Sequence, residues 1–146
     1  MKKRFYLSWF LIYVLNSLSG YFVHHVLLGD TYKQIASVLH ADVKNRIWAF
    51  ILISLTGSFF LTLIYSGWRK SNTLAEGLRY GFLIGIWITF SEYLSAYASS
   101  DAIPLSLAGE WIILGLLQYC LSGFILAWIY NYGNQDTLNN ARRPGR

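Results

Sequence analysis

The chain has 146 residues, of which 55% are hydrophobic and 13% are charged, and its formal net charge is +5. Soluble domains usually carry about 25% charged residues, so this composition excludes an ordinary soluble domain unless much of its surface faces lipid. The basic residues lie in short segments between apolar stretches, a pattern that indicates membrane orientation and not nucleic-acid binding.

The first predicted span covers residues 5–28 and follows a basic N-terminus. It is longer than the roughly 7–15 apolar residues of a secretory signal, and no small-residue cleavage site ends it. We therefore predict a retained transmembrane helix. Its most polar side chains are Asn16 in the interior and His24 and His25 at the far end.

The second predicted span covers residues 47–66, after a longer connection at 29–46. Four residues of this connection recur at helical spacing: Tyr32, Ile35, Ala36 and Leu39. This pattern predicts a short helix lying at the outer membrane surface.

The third predicted span covers residues 77–98 and carries small residues at four-residue spacing, which are Gly77, Gly81 and Gly85. Small residues let membrane helices approach closely. Thr73 and Glu76 have the spacing of a capping box, which predicts the start of this helix. The stripe packs either inside the monomer or against another subunit, and we prefer the first alternative.

The fourth predicted span covers residues 105–130 and contributes Gly115 and Gly123 to helix packing and Gln118 as an interior polar residue. The four spans predict an all-α integral membrane four-helix bundle within residues 1–130. The polar segment 131–146 is predicted to be a disordered cytoplasmic tail.

The distribution of Lys and Arg predicts the orientation. Three lie at the N-terminus, three around the second connection and three in the tail, which makes nine, against three in the first connection. The excess places both termini in the cytoplasm. We therefore predict a multi-pass protein of the cell inner membrane.

Glu92, in the outer half of the third span, is the leading candidate for a functional residue. A carboxyl group inside a span is costly and indicates function by default. The competing and preferred interpretation is a packing role, with the carboxyl group hydrogen-bonded to neighbouring side chains. His24, Glu92 and Glu110 together could bind a divalent cation or relay protons, although their spacing does not require it.

The sequence contains no nucleotide-binding loop, zinc-protease spacing or nucleophile elbow. Its three His residues include no pair on two spans that would ligate haem. We therefore expect no catalytic residues and no cofactor, and we assign no cofactor-binding residues.

Three stretches carry a resemblance: Tyr21-Phe22-Val23-His24-His25, Glu76-Gly77-Leu78-Arg79-Tyr80-Gly81-Phe82, and Ile103-Pro104-Leu105-Ser106-Leu107-Ala108 before Trp111. With them, most of residues 5–130 resembles an uncharacterised family of small four-span bacterial inner-membrane proteins. The resemblance implies the four-span architecture and no activity.

The leading functional hypothesis is a non-enzymatic accessory or stabilising subunit, which packs in the bilayer against other membrane subunits or against itself. The first alternative is a small transporter or channel with Glu92 as the coupling carboxylate. The second is a metal- or quinone-linked redox component that uses His24 and Glu92.

Overall fold

A computed structural model describes residues 2–34, 43–71 and 73–141 of the chain. In chain order the elements are α1 (Lys2–Tyr21), a π-helical segment (Phe22–Leu27), α2 (Gly29–Gln34), a 3-10 turn (Val43–Arg46), α3 (Ile47–Trp68), α4 (Leu74–Ser99) and α5 (Leu105–Ala141). The described ranges contain no strand, which confirms the all-α prediction for that part of the chain.

Three helical segments are long and apolar enough to cross a membrane, and they are Lys3–Leu27, Ile47–Trp68 and Leu105–Asn131. They correspond to the first, second and fourth predicted spans. The third predicted span lies within α4, a continuous helix of 26 residues. Its charged residues and its many Ser, Thr and Tyr residues make α4 less apolar than the three candidate membrane-spanning segments. Composition alone therefore does not identify α4 as a span.

The short connection between α3 and α4 is held by side chains at the start of α4. Thr73 accepts a hydrogen bond from the backbone N–H of Glu76 at 3.2 Å, as the capping-box spacing predicts. The Glu76 carboxylate in turn accepts hydrogen bonds from the backbone N–H groups of Lys70 and Ser71. These bonds fix the entry into α4 immediately after α3 ends.

Helices α4 and α5 run antiparallel and make the most extensive helix contact, and α1 packs against both α3 and α5. The sequence predicts α3 and α4 as antiparallel neighbours. In the structure their contact is made through aromatic side chains instead of close backbones. The Tyr80 hydroxyl donates to the Leu61 carbonyl oxygen at 2.6 Å, and the rings of Tyr65 and Tyr80 lie 5.1 Å apart.

The apolar core lies at the end of the bundle that holds the α3–α4 connection. It contains Ile12, Leu61, Tyr65, Tyr80, Leu126, Ala127 and Tyr130. All four long helices therefore meet at this end. The Arg69 guanidinium lies 4.2 Å from the centre of the Tyr130 ring and covers the core from its edge.

Two sequence predictions need correction or limitation. The segment after residue 130 was predicted to be disordered, but α5 continues without a break to Ala141. No proline interrupts the helix before residue 144, so its backbone hydrogen bonds continue past the apolar stretch. Of the residues that predicted a short helix in the first connection, Tyr32 lies in α2, whereas Ile35, Ala36 and Leu39 lie outside the described residues.

Candidate functional site

A cluster of polar side chains joins three helices at the middle of the candidate spans. The Asn16 amide nitrogen donates to Ser58 Oγ at 3.1 Å. The Asn16 carbonyl oxygen accepts from Gln118 Nε2 at 3.3 Å and from Ser122 Oγ at 3.1 Å. Asn16, Ser58 and Gln118 each lie within about one residue of the middle of their spans.

The members of this cluster are bonded to each other. Asn16 donates one hydrogen bond and accepts two, and the single Ser122 hydroxyl hydrogen is shared between the Asn16 side-chain oxygen and the Gln118 carbonyl oxygen, which lies at 2.9 Å. Amide and hydroxyl groups in an apolar surrounding stabilise a helix bundle when they are paired across helices. Asn16 and Gln118 therefore take part in the hydrogen bonds that link α1, α3 and α5.

A second polar chain lies at the opposite end of the bundle from the apolar core. Trp111 Nε1 donates to the Tyr32 hydroxyl at 2.9 Å, and that hydroxyl is hydrogen-bonded to His24 Nδ1. The rings of Tyr32 and His24 are stacked with centres 5.8 Å apart. These contacts attach α2 to α5 and to the π-helical segment, a type of helix that is frequently found at functional sites.

The direction of these hydrogen bonds follows from the phenol group. Burial raises the pKa of Tyr32, and the hydrogen bond with Trp111 offsets part of that rise, so the phenol is protonated at neutral pH. Its oxygen accepts from Trp111 Nε1, and the same hydroxyl is hydrogen-bonded to His24 Nδ1.

The glycine residues mark the closest approach of α4 and α5. A Cβ at Gly77 would overlap the Gly123 carbonyl oxygen, and a Cβ at Gly81 would overlap that of Tyr119. Gly85 and Gly115 are less tightly enclosed: a Cβ would lie 2.9 Å from Leu116 Cδ1 at Gly85 and 2.8 Å from Thr89 Cγ2 at Gly115. The glycine stripe of α4 therefore packs inside the chain.

The structure does not assemble the predicted metal ligands His24, Glu92 and Glu110. Among the described residues, no group of three or more His, Cys, Asp or Glu side chains could hold a metal ion. His24 Nδ1 is bonded to Tyr32, and Glu110 lines an open cleft beside Leu28 and Thr31. The three residues come from different elements, and the helix arrangement could not be read from their spacing.

Glu92 lies on the exposed surface of α4, beside the α4–α5 contact. It is close enough to Tyr93 and Tyr119 for its charge to act on both phenols. No hydrogen bond or ion pair links Glu92 to another residue in the described part of the chain. The packing role that the sequence favoured, through a hydrogen-bonded carboxyl group, is therefore not seen within this chain.

The fold and these clusters define a helical protein with three helices able to cross a membrane. Comparison with known protein families, with curated proteins and with solved structures gives no match for the chain. The resemblance to a small four-span family therefore stays a prediction.

Proposed function

We propose that the chain is a four-span protein of the cell inner membrane and that α4 is the remaining span. In support, α4 contacts α5 from Gly77 to Tyr93, whose ring lies 5.3 Å from that of Trp111. These 17 residues rise by about 24 Å. A helix lying on the membrane surface does not follow a spanning helix over such a distance.

The proposed orientation places both termini in the cytoplasm. Ile12 of α1 and Tyr130 of α5 share the apolar core with Tyr65, which lies close to the α3–α4 connection. The segments of the chain at this end of the bundle carry four basic residues: Arg4, Arg69, Lys70 and Arg79. A concentration of Lys and Arg identifies the cytoplasmic end of such helices.

Cysteine labelling tests this topology. In a Cys120→Ser background, we expect a cysteine at Asp101 to react with a membrane-impermeant maleimide added to intact cells. A cysteine at Ser71 should react only after the cells are opened, because it lies at the cytoplasmic end. Equal labelling of both positions in intact cells would show that α4 does not cross the membrane.

The proposed role is that of a non-enzymatic accessory or stabilising subunit in a larger membrane assembly. One observation carries this proposal: the outer half of α4 exposes a contiguous polar face, formed by Ser91, Glu92, Ser95 and Ser99. We call it the α4 polar face. Serine and carboxyl groups in spans are enriched where helices pack against each other.

The middle of the bundle also favours a packing role over transport. The polar side chains of a transport path must be available to the substrate or to water. Asn16, Ser58 and Gln118 lie at that depth, and their hydrogen bonds are made with each other. The polar groups that remain available to another membrane helix therefore lie on the α4 polar face.

Gentle extraction of the full chain from native membranes tests the role. We expect it to migrate in a complex well above the 16.8 kDa of the monomer, with other membrane polypeptides present in fixed ratio. A chain that migrates alone in a mild detergent, with the folded state confirmed by its helical circular dichroism, would contradict the proposal.

A further inference from the structure

We propose that the α4 polar face binds a transmembrane helix of a different protein, and that this helix places a Lys or Arg side chain opposite Glu92. This inference rests on the proposed function and names the chemistry of the partner. It is carried by the position of one carboxylate, by the small side chains around it and by the absence of Lys and Arg from the outer halves of the spans of this chain.

The depth of Glu92 makes its charge costly. It lies seven residues before the end of α4 at Ser99, a rise of about 10 Å. The middle of α4 lies between residues 86 and 87, so Glu92 is about 8 Å from it along the axis, within the roughly 15 Å half-thickness of the hydrocarbon layer. A carboxyl group at this depth is rare unless it is paired or faces protein.

The surroundings of Glu92 within the chain do not neutralise it. The phenols of Tyr93 and Tyr119 lie close to it, and no ion pair to Glu92 is formed within the described part of the chain. A phenol can donate a hydrogen bond, but it cannot supply the positive charge that balances a carboxylate. A cationic side chain on the covering helix supplies both the charge and the hydrogen bonds.

The rest of the α4 polar face permits a close helix contact. Ser91, Ser95 and Ser99 recur every four residues, and their exposed side chains are small. Such spacing lets two backbones approach in a membrane, which brings a partner side chain within reach of a short carboxylate. The exposed Trp87 and Leu94 border this face with apolar surface.

A second copy of this chain lacks the required charge. Residues 5–28, 47–66 and 80–130 contain no Lys or Arg. Two copies related by a twofold axis through this face would also bring two Glu92 carboxylates together, and like charges repel strongly in a medium of low dielectric constant. Charge complementarity therefore favours a heteromeric partner.

A photo-crosslinking amino acid placed at Ser95 tests the inference with the full chain in native membranes. The matched control is the same amino acid at Ile51, which is 50% exposed and, like Ser95 in α4, lies four residues from the outer end of its helix. It is therefore at a similar depth on another surface. We expect an adduct at Ser95 whose crosslinked peptide, identified by mass spectrometry, is a transmembrane segment containing Lys or Arg.

Charge variants at Glu92 then test the pairing directly. Glu92→Gln should lower the Ser95 adduct roughly tenfold or more, because it leaves the partner's cation without a counter-charge in the membrane. Glu92→Asp should retain most of it. Glu92→Lys should lose the adduct and regain it when the partner's basic residue is replaced by Glu. The amount of folded chain in the membrane, measured for each variant, separates loss of contact from loss of folding.

Three results would overturn the inference while leaving the proposed function intact. They are an adduct to a second copy of this chain, an adduct to a segment without Lys or Arg, and an adduct that Glu92→Gln does not reduce. Adducts to lipid alone at Ser95, together with migration of the chain as a monomer, would overturn both proposals.

Discussion

Replacing Gly81 with alanine should lower the free energy of unfolding by about 2–3 kcal/mol, since overpacking against a rigid neighbour costs of this order. A methyl group at this position would overlap the Tyr119 carbonyl oxygen and lie 2.8 Å from Cys120 Cα. Both are backbone atoms of α5, so no side chain can rotate away to make room. The two helices must separate along much of their contact.

The effect should be measured by reversible unfolding in bicelles or mild detergent, with far-ultraviolet circular dichroism as the readout. Gly57→Ala is the matched control, because a Cβ at Gly57 in α3 meets nothing within 4 Å. That variant should change stability by less than about 1 kcal/mol. Similar losses for both variants would show that the α4–α5 contact is not as close as the structure has it.

Gly123 belongs to the same contact and contributes to it from α5. A Cβ there would overlap the Gly77 carbonyl oxygen and lie 2.9 Å from the Gly81 nitrogen. Gly77, Gly81 and Gly123 therefore form one crossing point, and all three were predicted to pack helices, although not against each other. The spacing could not identify which helix would pack against the stripe, because each of the other spans also has small residues.

The sequence predicted the helices well because their signals are local. Apolar length located the spans, and the Thr73–Glu76 spacing located the start of α4. The apolar signal is weaker for α4, which is not among the three helices apolar enough to cross a membrane, because it contains many polar residues. The end of α5 was placed too early, since a fall in hydropathy was taken as the end of the helix, whereas the backbone hydrogen bonding continues to Ala141.

The polar clusters were harder to predict because they join residues far apart in the chain. Asn16 and Gln118 stood out as polar residues inside spans, but their hydrogen bond links positions 102 residues apart. The hydroxyl groups of Ser58 and Ser122 complete the cluster, and neither residue stands out in the sequence from the other serines of the chain. Tyr32 and Trp111 looked like interfacial aromatics. A single sequence gives no signal that they bond to each other and to His24.

The predicted metal site was wrong for the same reason, because its three ligands lie far apart in the chain. His24, Glu92 and Glu110 were grouped by their depth along three predicted spans, and depth does not fix the angle at which a side chain leaves its helix. The structure turns His24 toward Tyr32 and leaves Glu92 on the exposed side of α4. The prediction that Glu92 has a special role stays a prediction. The explanation proposed here is an external partner.

Replacing Asn16 with leucine should lower the free energy of unfolding by about 2 kcal/mol, because three interhelical hydrogen bonds at roughly 0.6 kcal/mol each are removed together. The loss also leaves Gln118 Nε2 without its acceptor in the middle of the bundle. The same unfolding measurement applies. Ser19→Ala is the control on the same helix, because the Ser19 hydroxyl donates only to carbonyl oxygens of α1.

A double-mutant cycle decides whether these bonds act as a cluster. Asn16→Leu and Ser122→Ala share the bond of 3.1 Å between Ser122 Oγ and the Asn16 carbonyl oxygen, so their effects should be less than additive by about 0.5–1.5 kcal/mol. Asn16→Leu combined with Ser19→Ala should be additive. If the Asn16 and Ser122 variants also add fully, the hydroxyl does not bond to Asn16, and Gln118 alone joins α5 to Asn16. The polar groups in the middle of the bundle would then be less fully paired across helices, and the argument that favours a packing subunit over a transporter would lose that support.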